Sequence, residues 1–133
     1  MKMRSISLLF LLLFTIALCA QDNLSALIPY PNEIKQRNGF FNIDKNIAVA
    51  FDNNDLQFAA SQLEGIINKH FDRKLSIASN GNIRLQINSN LSGEEAYKLD
   101  VGKKSIVIEG KTASGVLYAI MTLDQILTGD IVN

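Results

Sequence analysis

The chain has 133 residues, with thirteen Lys and Arg against thirteen Asp and Glu and 47% hydrophobic residues. That apolar share excludes disorder as the general state, and the length excludes a (β/α)8 barrel, which needs roughly 250 residues. Balanced, unclustered charge argues against nucleic acid as a partner, because phosphate binding requires a concentrated positive face.

Residues 1–20 read as a secretory signal. Lys2 and Arg4 make the start positive, and residues 6–18 form an apolar run broken only by Ser7 and Thr15. The run falls short of the about 20 residues a membrane span needs and fits the apolar segment of an export signal. No membrane span is therefore expected, and the protein is expected to be exported, periplasmic or secreted. Cleavage after Ala20 would expose Gln21 and leave eleven basic residues against thirteen acidic, a net charge of −2. Leu18 is bulkier than the small residue usual three places before a cut. Lipid attachment at Cys19 is the alternative, and Leu18 departs from the usual pattern there too. Cys19 is the single cysteine, so a cut at Ala20 excludes disulfides, thiolate catalysis and cysteine metal sites.

Residues 21–27 read as a loosely held lead-in. Both prolines sit in Ile28-Pro29-Tyr30-Pro31, where two fixed φ angles favour an extended chain. Asn38-Gly39 is a hairpin signal, predicting that residues 32–37 pair with Phe40-Phe41-Asn42-Ile43. Ile47-Ala48-Val49-Ala50-Phe51 has the profile of a buried strand. Beyond it, Leu56, Ala59, Ala60, Leu63, Ile67 and Phe71 share one helical face, with Asn54 as the expected cap and Gln57 in the capping-box position. A weak strand is expected at residues 75–78. Residues 82–88 alternate Ile83, Leu85 and Ile87 against Arg84 and Gln86, as a half-buried strand does. Tyr97, Leu99 and Val101 share one face of the next strand, and Gly102-Lys103-Lys104 turns it antiparallel onto Ile106-Val107-Ile108. A second helix over residues 112–127 presents Val116, Ala119, Ile120, Leu123 and Leu127. Leu117, Tyr118 and Met121 widen that stripe, which predicts contact with something besides the sheet. The expected fold is α/β, an α+β sandwich: one mixed, largely antiparallel sheet with two helices on one face.

No residue set points to chemistry. Gly110-Lys111-Thr112 precedes a helix as a phosphate-binding loop would, but position 105 is Ser where that loop needs glycine, so a turn capped by Thr112 is expected. Glu94-Glu95 is the only adjacent carboxylate pair, and neighbours on a turn point apart. His70, the lone histidine, lacks further ligands at metal-binding spacing and suits the C-terminal end of a helix. Asn23-Leu24-Ser25 and Asn90-Leu91-Ser92 match the glycosylation pattern but matter only on a eukaryotic secretory route. Tyr30, Phe40, Phe41, Tyr97 and Tyr118 could stack on sugar rings, although most fall at core positions. The expected inventory is therefore no catalytic, cofactor-binding or metal residues and no cofactor.

Several stretches resemble a known family. Ile28-Pro29-Tyr30-Pro31-Asn32-Glu33-Ile34-Lys35 with Gly39-Phe40-Phe41-Asn42-Ile43 is similar to the opening of the N-terminal domain of family 20 glycoside hydrolases. Glu95-Ala96-Tyr97-Lys98-Leu99-Asp100-Val101 is similar to that domain's alternating strand. Gly115-Val116-Leu117-Tyr118-Ala119 and Thr122-Leu123-Asp124-Gln125-Ile126-Leu127 resemble its last helix. The likeness runs in order from Ile28 to Leu127. It implies a non-catalytic domain packed on the barrel of a β-N-acetylhexosaminidase, an enzyme of carbohydrate metabolism whose adjacent Asp-Glu pair serves substrate-assisted hydrolysis. This sequence contains no Asp-Glu dipeptide, so no catalytic residue carries over and the chain alone should be inactive. Leu117, Tyr118 and Met121 become the candidate barrel-facing contacts.

The chain thus divides into a signal (1–20), a lead-in (21–27), the hexosaminidase-like domain (28–127) and a truncated linker (128–133). Three readings stand open. The chain is a fragment of a hexosaminidase whose barrel is missing here or lies in another chain, a free-standing exported module binding glycan or protein, or a remnant that associates through its uncovered helix.

Overall fold

A computed structural model describes Leu27, Pro29 and residues 31–35, 37–44 and 46–128. The predicted signal with Cys19, most of the lead-in, Tyr30 and residues 129–133 lie outside the described residues. In chain order the elements are β1 (Ala48–Ala50), a 3-10 turn (Asn54–Leu56), α1 (Gln57–Phe71), β2 (Ser76–Ile77), β3 (Ile83–Ile87), β4 (Tyr97–Val101), β5 (Ile106–Gly110) and α2 (Ala113–Leu127).

The helices form where the apolar spacing requires them. α1 buries Ala59, Ala60, Leu63, Ile66 and Ile67. Its cap is Asn53 rather than the expected Asn54. Asn53 is extended, and its side chain accepts the Asp55 N–H at 2.9 Å, because the chain makes one 3-10 turn before the α-helix begins. At the far end Asp72 turns left-handed with φ 51, and its N–H bonds the Asn68 carbonyl. α2 starts at the expected Thr112, whose hydroxyl oxygen accepts the Gly115 N–H. A Cβ on Gly115 would stand 2.6 Å from the Ala96 carbonyl oxygen. Glycine there lets the start of α2 close down on the β4–β5 edge.

The sheet order is β2-β1-β3-β5-β4. β2, β1, β3 and β5 are mutually parallel, and only β4 is antiparallel, against β5. This corrects the expectation of a largely antiparallel sheet. α1 carries the chain from the end of β1 back to the level where β1 began, so β2 runs in the same direction as β1. The short link over residues 78–82, with Gly81 against the β1 backbone, brings β3 in parallel on the other side of β1. The segment after β3 passes over a vacant place, β4 takes the outer edge, and the turn closed by Gly102 N–H to the Ser105 carbonyl inserts β5 into the gap. The β4–β5 hairpin itself is as expected, with Tyr97 opposite Gly110 and Val101 opposite Ile106.

The first expected hairpin is not formed: no strand occurs over residues 37–44 or 31–35. Gly39 has a turn-like φ of 120, yet a turn without a buried face on its arms has nothing to hold a ladder together. Phe41 and Ile43 reach the core singly, Phe40 is exposed, and Arg37 bonds Asp100 at 2.7 Å.

One core joins the layers. Ile47 and Val49, Ile83 and Leu85, and Ile106 and Ile108 pack with the inner residues of both helices. Leu27, at the end of the presumed lead-in, is also buried. On the other sheet face Arg84, Gln86 and Lys98 are exposed and Asp100 and Glu109 half-buried. Ala48, Ala50 and Val107 are the apolar members of that face, which is otherwise polar because most apolar side chains are buried on the helix side.

Candidate functional site: the outer face of the helices

α2 is more apolar than one buried face requires. Val116, Ala119, Ile120 and Leu123 are buried against the sheet and α1. Leu117 is half-buried, while Tyr118 is 44% and Met121 37% exposed. Phe58, in the first turn of α1, is also exposed on the helix layer, while Phe40, Ile77, Ile87 and Val101 are exposed elsewhere. Sequence spacing did not single out Phe58, because a lone aromatic off the main stripe looks the same whether it is solvated or waiting for a partner.

Polar contacts fix how the two helices sit. Asp124 of α2 lies 2.6 Å from His70 Nε2 and 3.2 Å from Lys69 Nζ, both on α1. The His70 hydrogen bond, aided by Lys69 and opposed by burial, holds the Asp124 carboxyl below its usual 3.8. His70 therefore ties one helix to the other, a role beyond the expected fit to a helix end. On the sheet side, Tyr97 Oη and Thr122 Oγ1 share a hydrogen bond of 2.8 Å, and Thr122 Oγ1 also donates to the Tyr118 carbonyl at 3.1 Å.

The other motifs hold the fold together. Lys111 gives its backbone N–H to the Ala96 carbonyl and its Nζ to the Ser89 carbonyl, so Gly110-Lys111-Thr112 is a turn and forms no phosphate cradle. Glu94 and Glu95 are exposed; the Glu94 carbonyl accepts the Thr112 hydroxyl at 2.8 Å, and Tyr118 Oη reaches Glu95 Oε1 at 3.5 Å. A shallow polar cleft at the C-terminal ends of β1 and β3 is lined by Asp52, Asn53, Gln86, Asn88, Asn90 and Glu109 among others. Several of its polar groups bond within the chain: Asn88 Nδ2 to Glu109 at 3.4 Å, and Asn88 Oδ1 to the Asn90 N–H at 3.0 Å. Among the described residues no group of three or more His, Cys, Asp or Glu could hold a metal ion, and no helix is long and apolar enough to cross a membrane.

This arrangement, two helices on a mixed sheet with an apolar outer face, matches a known family. The model of glycosyl hydrolase family 20, domain 2, covers residues 24–132. The chain belongs to that family. The family 20 domain is similar to part of the exo-β-N-acetylglucosaminidase of Vibrio harveyi, with 32% identity and a TM-score of 0.69 over 77% of this chain and 16% of that one. The β-N-acetylhexosaminidase of Streptomyces coelicolor shares the fold at 24% identity and a TM-score of 0.70, over 77% of this chain and 21% of that one. The same fold occurs, at 16% identity and a TM-score of 0.53 over 61% of this chain and 13% of that one, in a family GH115 4-O-methyl-α-glucuronidase. The domain thus spans no more than about a fifth of each of these chains. No match was found among curated protein sequences.

Proposed function

We propose that this family 20 domain is the non-catalytic N-terminal part of an exported β-N-acetylhexosaminidase, and that it braces the catalytic barrel with the outer face of its helices. The observation that carries this is the exposed Phe58, Tyr118 and Met121 with half-buried Leu117 on the helix layer, set against a sheet whose free face is largely polar. Apolar side chains gathered on one face mark a protein contact. Export rests on Lys2, Arg4 and the apolar run of residues 6–18. The chemistry would then belong wholly to the barrel, and the domain would contribute position and stability.

Two assays test the reading. The 133-residue chain alone should not hydrolyse an aryl N-acetylglucosaminide, and turnover by the pure chain would refute it. Residues 24–132, grafted in place of the matched segment of the Vibrio harveyi enzyme, should give an active protein that unfolds in one transition. An inactive graft, or one in which domain and barrel unfold separately, overturns the bracing role. Saturable binding of chitin oligosaccharides by the isolated chain would favour a free-standing binding module instead.

A further inference from the structure

Gly65 lies in the interior of α1, where glycine is the least favourable residue after proline. Each ordinary reason for a glycine is missing there. Among the described glycines only Gly39 and Gly93 have positive φ. A Cβ built on Gly81 would meet the Ala50 backbone nitrogen at 2.6 Å, whereas one built on Gly65 would meet nothing within 4 Å. The residue is exposed, and the helix continues for six residues beyond it to Phe71. Among the described residues nothing requires the position to be bare.

Its place on the helix supplies the reason. Phe58 and Gly65 are seven residues apart, two turns along one face. Lys69 follows one turn later and reaches Asp124 of α2, so this face borders the outward seam between the helices. On α2, Leu117 lies two turns before Asp124 and Met121 one turn before. A bare notch at Gly65 therefore sits in a row with exposed Phe58, across the seam from the apolar residues of α2.

We infer that Gly65 is the point of closest approach between this domain and the catalytic barrel, kept free of a side chain so that a barrel side chain seats against the α1 backbone. The inference rests on the bracing role proposed above. The barrel is the occupant because this fold accounts for only 16% to 21% of the Vibrio and Streptomyces chains, so most of each relative lies beyond it and is available to cover the seam. Glycine at such a contact lets backbone and partner approach closely.

The test compares one substitution series in two settings. In the isolated 133-residue chain, Gly65→Ala and Gly65→Leu should each raise the thermal midpoint, by about 4–8 °C, since helix propensity alone is at work. In the Vibrio graft, Gly65→Leu should lower the midpoint and reduce activity, while Glu64→Leu, an equal apolar addition about 100° around the helix, leaves both unchanged. Opposite signs in the two settings support the inference. Parallel stabilisation in both overturns it, as does a lower midpoint for Gly65→Ala in the isolated chain, which would reveal an internal need for glycine. A wild-type chain that sediments as a dimer, and is made monomeric by Gly65→Leu, assigns the notch to a second copy and also overturns it. Failure of the unsubstituted graft identifies the bracing role itself as the error.

Discussion

Replacing Asp124 with Asn isolates what holds the two helices in register. The carboxylate accepts from His70 at 2.6 Å and from Lys69 at 3.2 Å. A hydrogen bond to a charged group contributes about 1.5–3 kcal/mol when well shielded, but Asp124 keeps 28% of its side-chain exposure and Lys69 keeps 59%. Solvent screening brings the expected loss to about 1 kcal/mol, or about 4–8 °C in thermal midpoint for a domain of this size. The pH dependence follows from the lowered Asp124 carboxyl. A carboxyl depressed in the folded state stabilises the fold above its usual 3.8, and that stability is lost as pH falls through the lower folded value. The Asp124→Asn difference should therefore be full at pH 6 and should close as pH drops below about 3.8. Thermal unfolding followed by circular dichroism at pH 6, 4 and 2.5 measures both effects. Equal midpoints at pH 6, or a gap that persists undiminished at pH 2.5, would refute the assignment of the helix-to-helix link to this carboxylate.

Three further outcomes follow from the packing. Leu63 is fully buried, so Leu63→Ala should cost about 2–5 kcal/mol in urea unfolding, and a loss below about 1 kcal/mol would show that the helix–sheet interface repacks freely. Tyr97→Phe removes one hydrogen bond to Thr122, which still donates to the Tyr118 carbonyl; the loss should stay near the lower end of about 0.5–1.5 kcal/mol. Gly115→Val should leave little soluble folded protein, because a Cβ there meets the Ala96 carbonyl at 2.6 Å and backbone cannot move aside as a flexible side chain can. Proton NMR of that variant with native dispersion would contradict the close fit of α2 on the β4–β5 edge.

The helices were legible in the sequence because their apolar spacing is local and strong. Leu56, Ala59, Ala60, Leu63 and Ile67 all proved buried, and Thr112 caps α2 as expected. The strands were legible as segments for the same reason, since Ile83 and Leu85 alternate with exposed Arg84 and Gln86. Their pairing was not. A strand's alternation records which face is buried and carries no trace of its neighbour. β4 follows β3 in the chain and yet lies beyond β5 in the sheet, so the parallel pairing of β3 with β5 leaves no mark in either strand's own pattern. The Asn38-Gly39 signal misled in the opposite sense: it encodes a bend, and a hairpin additionally needs arms with a face to bury. Nor did sequence reveal the Asp124 link to His70, because the two residues are 54 positions apart and meet only once both helices lie on the same sheet face.

The candidate surface shows the same division between local and non-local information. Leu117, Tyr118 and Met121 stood out because a helix against one sheet needs one apolar stripe, and these residues form a second. Phe58 and Gly65 gave no such sign, each being a single residue on a helix whose stripe was already complete. Only the fold relates them. The helix repeat aligns Phe58 with Gly65, Lys69 carries that row to Asp124, and Asp124 continues the row of Leu117 and Met121. The two helices thus share an outward seam that the sheet does not cover. Lys69 and His70 join Asp124 across that seam near the C-terminal ends of both helices. Phe58 lies at the other, N-terminal end of the same row, so the polar tie and the exposed aromatic mark its two ends.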